Sequence, residues 1–212
     1  MQPHGGQPVE TAGAPLSESR GVVILVHGRN AGPANILSLV PRLDRPDLTY
    51  LAPAAANRTW YPYSFLAPRE QNEPGLTSAL TMLRDVMADV AARGVERRRI
   101  AILGFSQGAC LASEFVYRNP ARYGGLIAFT GGLIGEPGAA WSVQGRLDGT
   151  PVFLGSSDVD AHVPLDRVRE TADVFTRMGG DVTLRVYPGM GHLVNEDEIV
   201  CARAVLDSIA ML

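Results

Sequence analysis

Two hydrophobic patterns alternate along this chain. The first is a short, unbroken apolar run rich in β-branched residues. It occurs as "GVVILVHG" from Gly21, "RIAILGF" from Arg99, "GGLIAFTGG" from Gly124, "PVFLG" from Pro151 and, more weakly, "DVTLRVYPG" from Asp181. Runs of this kind predict strands covered on both faces. A shorter strand is expected at Leu48–Ala52. The second pattern is amphipathic and longer. It predicts helices over Ala34–Val40, Leu76–Arg93, Gln107–Arg118, Pro164–Met178 and Glu196–Leu212. Gly94 closes one of these helices, and Pro164 with Gly179-Gly180 brackets another. Strand and helix alternate to the end of the chain, which predicts an α/β fold: a mostly parallel central sheet with helices on both faces. In such sheets a site forms beyond the carboxyl ends of the strands, so the loops after strands are the ones to inspect.

Two segments fall outside the alternation. Residues 1–20, rich in Gly, Pro and polar residues, read as a loose N-terminal arm with one short edge strand near Val9, ahead of a domain over 21–212. Pro53–Pro74 is too long for an ordinary connection. Its aromatics argue for an ordered functional loop, and Trp60, Tyr63 and Phe65 are expected to wall a substrate pocket.

Composition narrows the function classes. The 212 residues are 46% hydrophobic and 19% charged with a net charge of −3, so nucleic acid and anionic membranes are not expected partners. No apolar run reaches membrane-spanning length and no signal peptide is visible. Cys110 and Cys201 do not make a disulfide framework, and a cytoplasmic location is expected.

The chemistry is concentrated in post-strand loops. Gly104-Phe105-Ser106-Gln107-Gly108 is a G-x-S-x-G between a predicted strand and a predicted helix. On such a turn the serine hydroxyl is lifted into the cleft, and the Gln107 N–H points at the place where an oxyanion would form. A serine needs a base. His4 lies in the arm and His27 reads as a structural strand-end residue, whereas His192, after the last strand, is placed as a base. The N–H of Arg29, following "HG", is a second candidate oxyanion donor. Cys110 reads as a buried small hydrophobe rather than a nucleophile. Asp158 and Asp160 both stand after "PVFLG". With His162 they have chelating spacing, but no HExxH or CxxC supplies further ligands, so no metal and no cofactor is expected.

Taken together, "VHGRNAGP", "LGFSQGA", "SSDVDAHVP" and "YPGMGH" resemble the signatures of the phospholipase/carboxylesterase branch of the α/β-hydrolases, in order from Gly21 to the end. The resemblance implies an α/β-hydrolase fold without a large cap domain. It also implies a Ser-His-Asp hydrolase acting on a small-molecule ester through an acyl-enzyme. Ser106 and His192 carry over as nucleophile and base, and Arg29 and Gln107 as oxyanion donors. The family's acid motif reads Gly-Asp-x-Asp-Pro-x-Val-Pro, and alignment on Val163-Pro164 selects its first Asp, here Asp158, as the acid, with Asp160 in a supporting role. Ser157 and Ala161 depart from that motif. Asn30 stands where the branch has Gly and is expected to narrow the cleft or bond the substrate. A thioesterase or lysophospholipase, and a non-catalytic hydrolase-fold binding protein, are the alternatives. A homodimer enters by analogy with the family.

Overall fold

The computed structural model describes residues 2–143 and 145–210. Seven strands form one sheet: β1 (Val9–Gly13), β2 (Val22–Val26), β3 (Thr49–Pro53), β4 (Ile100–Phe105), β5 (Gly125–Phe129), β6 (Pro151–Ser157) and β7 (Asp181–Tyr187). Their spatial order is β1-β3-β2-β4-β5-β6-β7. Only β1 runs antiparallel to its neighbour; β2 through β7 pair in parallel.

Each apolar run is split by the pleat, because successive side chains point to opposite faces. In β2, Val22, Ile24 and Val26 enter one core, while Val23 and Leu25 enter the other. In β4, Ile100 and Ile102 go one way and Ala101 and Leu103 the other. The first core is covered by α3 (Gly75–Ala92), α4 (Gln107–Arg118) and α5 (Leu165–Arg177), and the second by α1 (Pro33–Leu37), α2 (Val40–Leu43) and α6 (Glu196–Ala210). Residues on both faces must therefore be apolar, which is why these strands read as runs rather than as alternations. Among the described residues no helix is long and apolar enough to cross a membrane. The predicted last two residues of α6, 211 and 212, lie outside the described residues.

Two expectations need correction. The helix expected over Ala34–Val40 is two short helices, with Pro41 in the first turn of α2. Proline has no N–H to donate to the carbonyl four residues back, at Leu37, so a single helix cannot run through it. The N-terminal arm is also not loose. β1 pairs with β3 from Val9↔Pro53 to Gly13↔Thr49. His4 is buried, with 2% exposure, although a sequence reading discounts it as part of a free tail.

His4 clamps the long loop to the body. Its main-chain N–H donates to Ser78 Oγ at 2.9 Å. Its Nδ1 accepts from Ala56 N–H at 3.0 Å, so Nε2 carries the proton and donates to Trp60 O at 2.9 Å. Burial lowers the pKa of this imidazole, which favours the neutral ring that this bonding needs. The ring also packs on Trp60, centroids 5.4 Å apart. His4→Ala leaves the Ala56 N–H and the Trp60 carbonyl without these partners, and an unsatisfied buried group costs about 1–3 kcal/mol. Urea unfolding of the variant should give a stability reduced by that amount. An unchanged midpoint would show that the arm does not hold the loop.

Candidate active site

The site is built on the carboxyl ends of parallel strands. Ser106 follows β4 directly and is the N-cap of α4, with φ 55° and ψ −121°. A left-handed φ costs a non-glycine residue of order 1–3 kcal/mol and persists only where the surroundings impose it. Here two glycines do so. A Cβ on Gly104 would stand 2.4 Å from the Gly108 carbonyl, and a Cβ on Gly108 only 2.0 Å from Val26 O. The strand-to-helix turn is thus packed backbone to backbone, and Ser106 N–H is fixed by donating to Phe129 O at 2.9 Å.

His192 stands in the loop between β7 and α6. Its Nε2 lies 2.8 Å from Ser106 Oγ, and its Nδ1 lies 2.6 Å from Asp160 Oδ2. Phe105 and His162 pack on the imidazole, with ring centroids at 5.0 and 4.9 Å. Asp160 therefore faces the histidine, and the assignment of Asp158 to that place is wrong. Asp158 is exposed, and its Oδ1 accepts from Gly189 N–H at 2.8 Å, tying the acid loop to the histidine loop. Ser157 Oγ strengthens the same tie by donating to Met190 O.

The reason is local geometry. The chain bends after Ser157 rather than continuing extended. Asp160 Oδ1 then accepts the N–H groups of His162 at 2.7 Å and Val163 at 2.9 Å, an Asx turn leading into α5. Its side chain is fully enclosed. Burial raises its pKa, but the bonds from His192 and from the backbone N–H groups of His162 and Val163 outweigh burial and hold the carboxyl below its usual value.

The cleft beside Ser106 has a volume of about 460 Å³. Arg29 and Asn30 line it from the loop after β2, Tyr61, Tyr63 and Phe65 from the long loop, and Gln107 and Cys110 from α4. His162 and Val163 close the remaining side. Of the expected pocket aromatics, Tyr63 and Phe65 line the cleft, but Trp60 does not. Trp60 is fully buried behind the cleft, and its indole N–H donates to His27 O at 2.8 Å. Tyr61, which sequence reading missed, takes the place on the cleft. Asn30 lines the cleft at φ 60°, and Asn is among the non-glycine residues that best tolerate this region.

The side chain of Gln107 has a task that its motif did not reveal. Its Oε1 accepts from Trp60 N–H at 3.0 Å and Thr59 Oγ1 at 3.2 Å, and its Nε2 donates to Tyr61 O at 2.8 Å. This pins the long loop to the residue after Ser106. His27 is held by its Nδ1 against Gly28 O at 2.8 Å and by Ala55 N–H donating to Nε2 at 3.1 Å. The Cys110 thiol is buried and pushed up to about 12 by desolvation, so it stays protonated at neutral pH.

Behind the histidine loop, Asn195 and Glu198 cap α6 reciprocally. Glu198 N–H donates to Asn195 Oδ1 at 2.8 Å, and Asn195 N–H donates to Glu198 Oε2 at 2.9 Å. Glu198 is fully buried and packs on Gly155; burial and the nearby Asp197 raise its carboxyl to about 7 against an opposing bond from Asn195.

The sequence profile of the family described as Phospholipase/Carboxylesterase matches residues 10–210. A crystal structure of a phospholipase/carboxylesterase from Dyadobacter fermentans is 41% identical and superposes with a TM-score of 0.90, covering 96% of each chain. Acyl-protein thioesterase 1 of Eremothecium gossypii is 28% identical over 68% of this chain. That of Debaryomyces hansenii is 30% identical over 52% of it. The matched region spans 64% and 48% of those two relatives' own lengths. The fold is that of the α/β-hydrolase esterases.

Glu198 gives this site a pH signature in stability. Its folded pKa lies above its unfolded value, so the folded state binds its proton more tightly. The resulting stabilisation is fully present below about pH 4.5 and is lost as pH rises through about 7. Glu198→Gln should therefore gain stability relative to the parent between pH 5 and 8, by at most about 3 kcal/mol. Calorimetric melting across that range checks it; a variant that parallels the parent at every pH would contradict it.

Proposed function

The chain belongs to the phospholipase/carboxylesterase family, and from that premise we propose that it is a serine hydrolase of carboxylic esters. The carrying observation is the hydrogen-bonded chain Ser106–His192–Asp160 at the mouth of the cleft. A neutral imidazole that donates from Nδ1 to a carboxylate presents a free lone pair at Nε2 to the serine hydroxyl. Ser106 Oγ attacks the acyl carbon, and its proton passes to His192 Nε2. The imidazolium so formed is stabilised by Asp160. The tetrahedral oxyanion is met by the main-chain N–H groups of Arg29 and Gln107, the latter in the first turn of α4, where N–H groups have no partner within the helix. Collapse expels the alcohol, which leaves with the proton from His192. Water then repeats the sequence on the acyl-enzyme, releasing the acid and restoring Ser106.

Thioester hydrolysis is the alternative. It is favoured by the names of the acyl-protein thioesterase relatives, and it uses the same steps with a thiol leaving group. A panel of matched oxygen esters, thioesters and lysophospholipids separates these substrates by kcat/KM.

Ser106→Ala should abolish both hydrolysis of p-nitrophenyl esters and labelling by a fluorophosphonate; retained activity would end the proposal. Asp160→Asn should lower kcat by about 10⁴-fold, the usual effect of neutralising a triad acid, because the amide stabilises the wrong tautomer. Asp158→Asn should cost far less, since it alters only a tether between loops. The opposite ranking in steady-state kinetics would contradict the assignment of the acid.

A further inference from the structure

Arg29 stands out in the cleft for its charge. Its guanidinium is fixed by Nη1 donating to Pro62 O at 2.7 Å and Nη2 donating to Tyr63 O at 2.5 Å, and it lies 5.9 Å from the Tyr61 ring centroid. A guanidinium carries five N–H groups. Two are used here, which leaves three without an acceptor among the described residues. Among those residues no carboxylate oxygen approaches Arg29 within 4.0 Å, whereas Arg42 pairs with Glu196 at 2.6 Å and Arg118 with Glu114 at 2.7 Å. No Asp or Glu is among the described residues that line the cleft, and the Asp160 carboxylate is enclosed and occupied by His192, His162 and Val163. A second cation, Arg58, adjoins the same turn, its Nε donating to Ala31 O at 3.5 Å. The charge is thus fixed in place, uncompensated by the protein, and carried by the residue whose N–H is assigned to the oxyanion.

We infer that the cleft selects ester substrates bearing a compact oxyanion, such as a carboxylate, which the Arg29 guanidinium binds. This inference rests on the serine-hydrolase reading and names the substrate class within it. The two carbonyl bonds hold the planar fork in one orientation, so less side-chain entropy is lost when an anion is bound. A single-sign charge in a cleft also raises the local concentration of anionic substrate. The anion can sit on the acyl side or on the leaving-group side of the ester, and the test separates the two.

The test compares kcat/KM within matched pairs. On the acyl side, mono(p-nitrophenyl) adipate is set against p-nitrophenyl hexanoate. On the leaving-group side, (m-butyryloxyphenyl)acetate is set against its methyl ester. The parent should favour the anionic member of at least one pair by about fivefold to tenfold, the scale of one charge-assisted contact at an accessible site. Arg29→Gln, which keeps the main-chain N–H, should bring that ratio close to one, and Arg29→Lys should retain part of it. A parent without anion preference in either pair, or a preference that survives Arg29→Gln, overturns the inference. If Arg29→Gln fails to fold, salt serves instead: the parent's preference should shrink between about 0.02 and 0.5 M NaCl, and an unchanged ratio overturns it. Failure of the underlying reading is distinguishable, because it shows as turnover persisting in Ser106→Ala whatever the charge of the ester.

Discussion

The site depends on one steric constraint, the contact of Gly108 with the backbone of β2. At that point α4 lies against Val26 O so closely that no Cβ can be placed between them. The approach forces the chain to turn sharply after β4 and leaves Ser106 at a positive φ. The neighbouring strands, parallel to β4 and in register with it, carry their own loops to the same edge of the sheet. The hydroxyl thus meets an imidazole supplied by a residue 86 positions further along the chain. The local strain is sustained because moving the helix would disturb the core that α4 shares with α3 and α5.

The second tier of the structure is a set of ties between loops. Gln107 holds Thr59, Trp60 and Tyr61, and His4 holds Ala56 and Trp60 from the other side. Asp158 and Ser157 bind the histidine loop through Gly189 and Met190, and the Asn195–Glu198 cap anchors the far end of that loop. Loops of this length would otherwise sample many conformations. Their order here comes from polar bonds, most of them buried or half-buried, which are costly to break. The catalytic geometry proposed for Ser106, His192 and Asp160 therefore relies on the Gln107 side chain and on residues outside the cleft lining, among them His4, Asp158 and Glu198.

Much of this was legible in the sequence for a physical reason. Strands covered on both faces must be apolar at every position, and so β2, β4, β5 and β6 announce themselves. Ser106 was readable because the glycines at 104 and 108 are demanded by close packing, and His192 because it follows the last strand. The distinction between Asp158 and Asp160 was not readable from spacing. In an extended chain both would point the same way, and only the Asx turn shows which carboxylate faces inward. Trp60 and Tyr61 are adjacent aromatics, and which of them faces the cleft is decided by bonds to Gln107 and His27. His4 was unreadable because its partners lie 52 to 74 residues away.

The central claim is that His192 is held in one tautomer by Asp160 and so offers Nε2 to Ser106. Proton NMR of the imidazole N–H tests this most directly. A short Nδ1–H bond to a carboxylate shifts that proton far downfield of ordinary amides. The account predicts such a resonance in the parent and in Asp158→Asn, and its loss in Asp160→Asn. A downfield proton that persisted in Asp160→Asn and vanished in Asp158→Asn would contradict it.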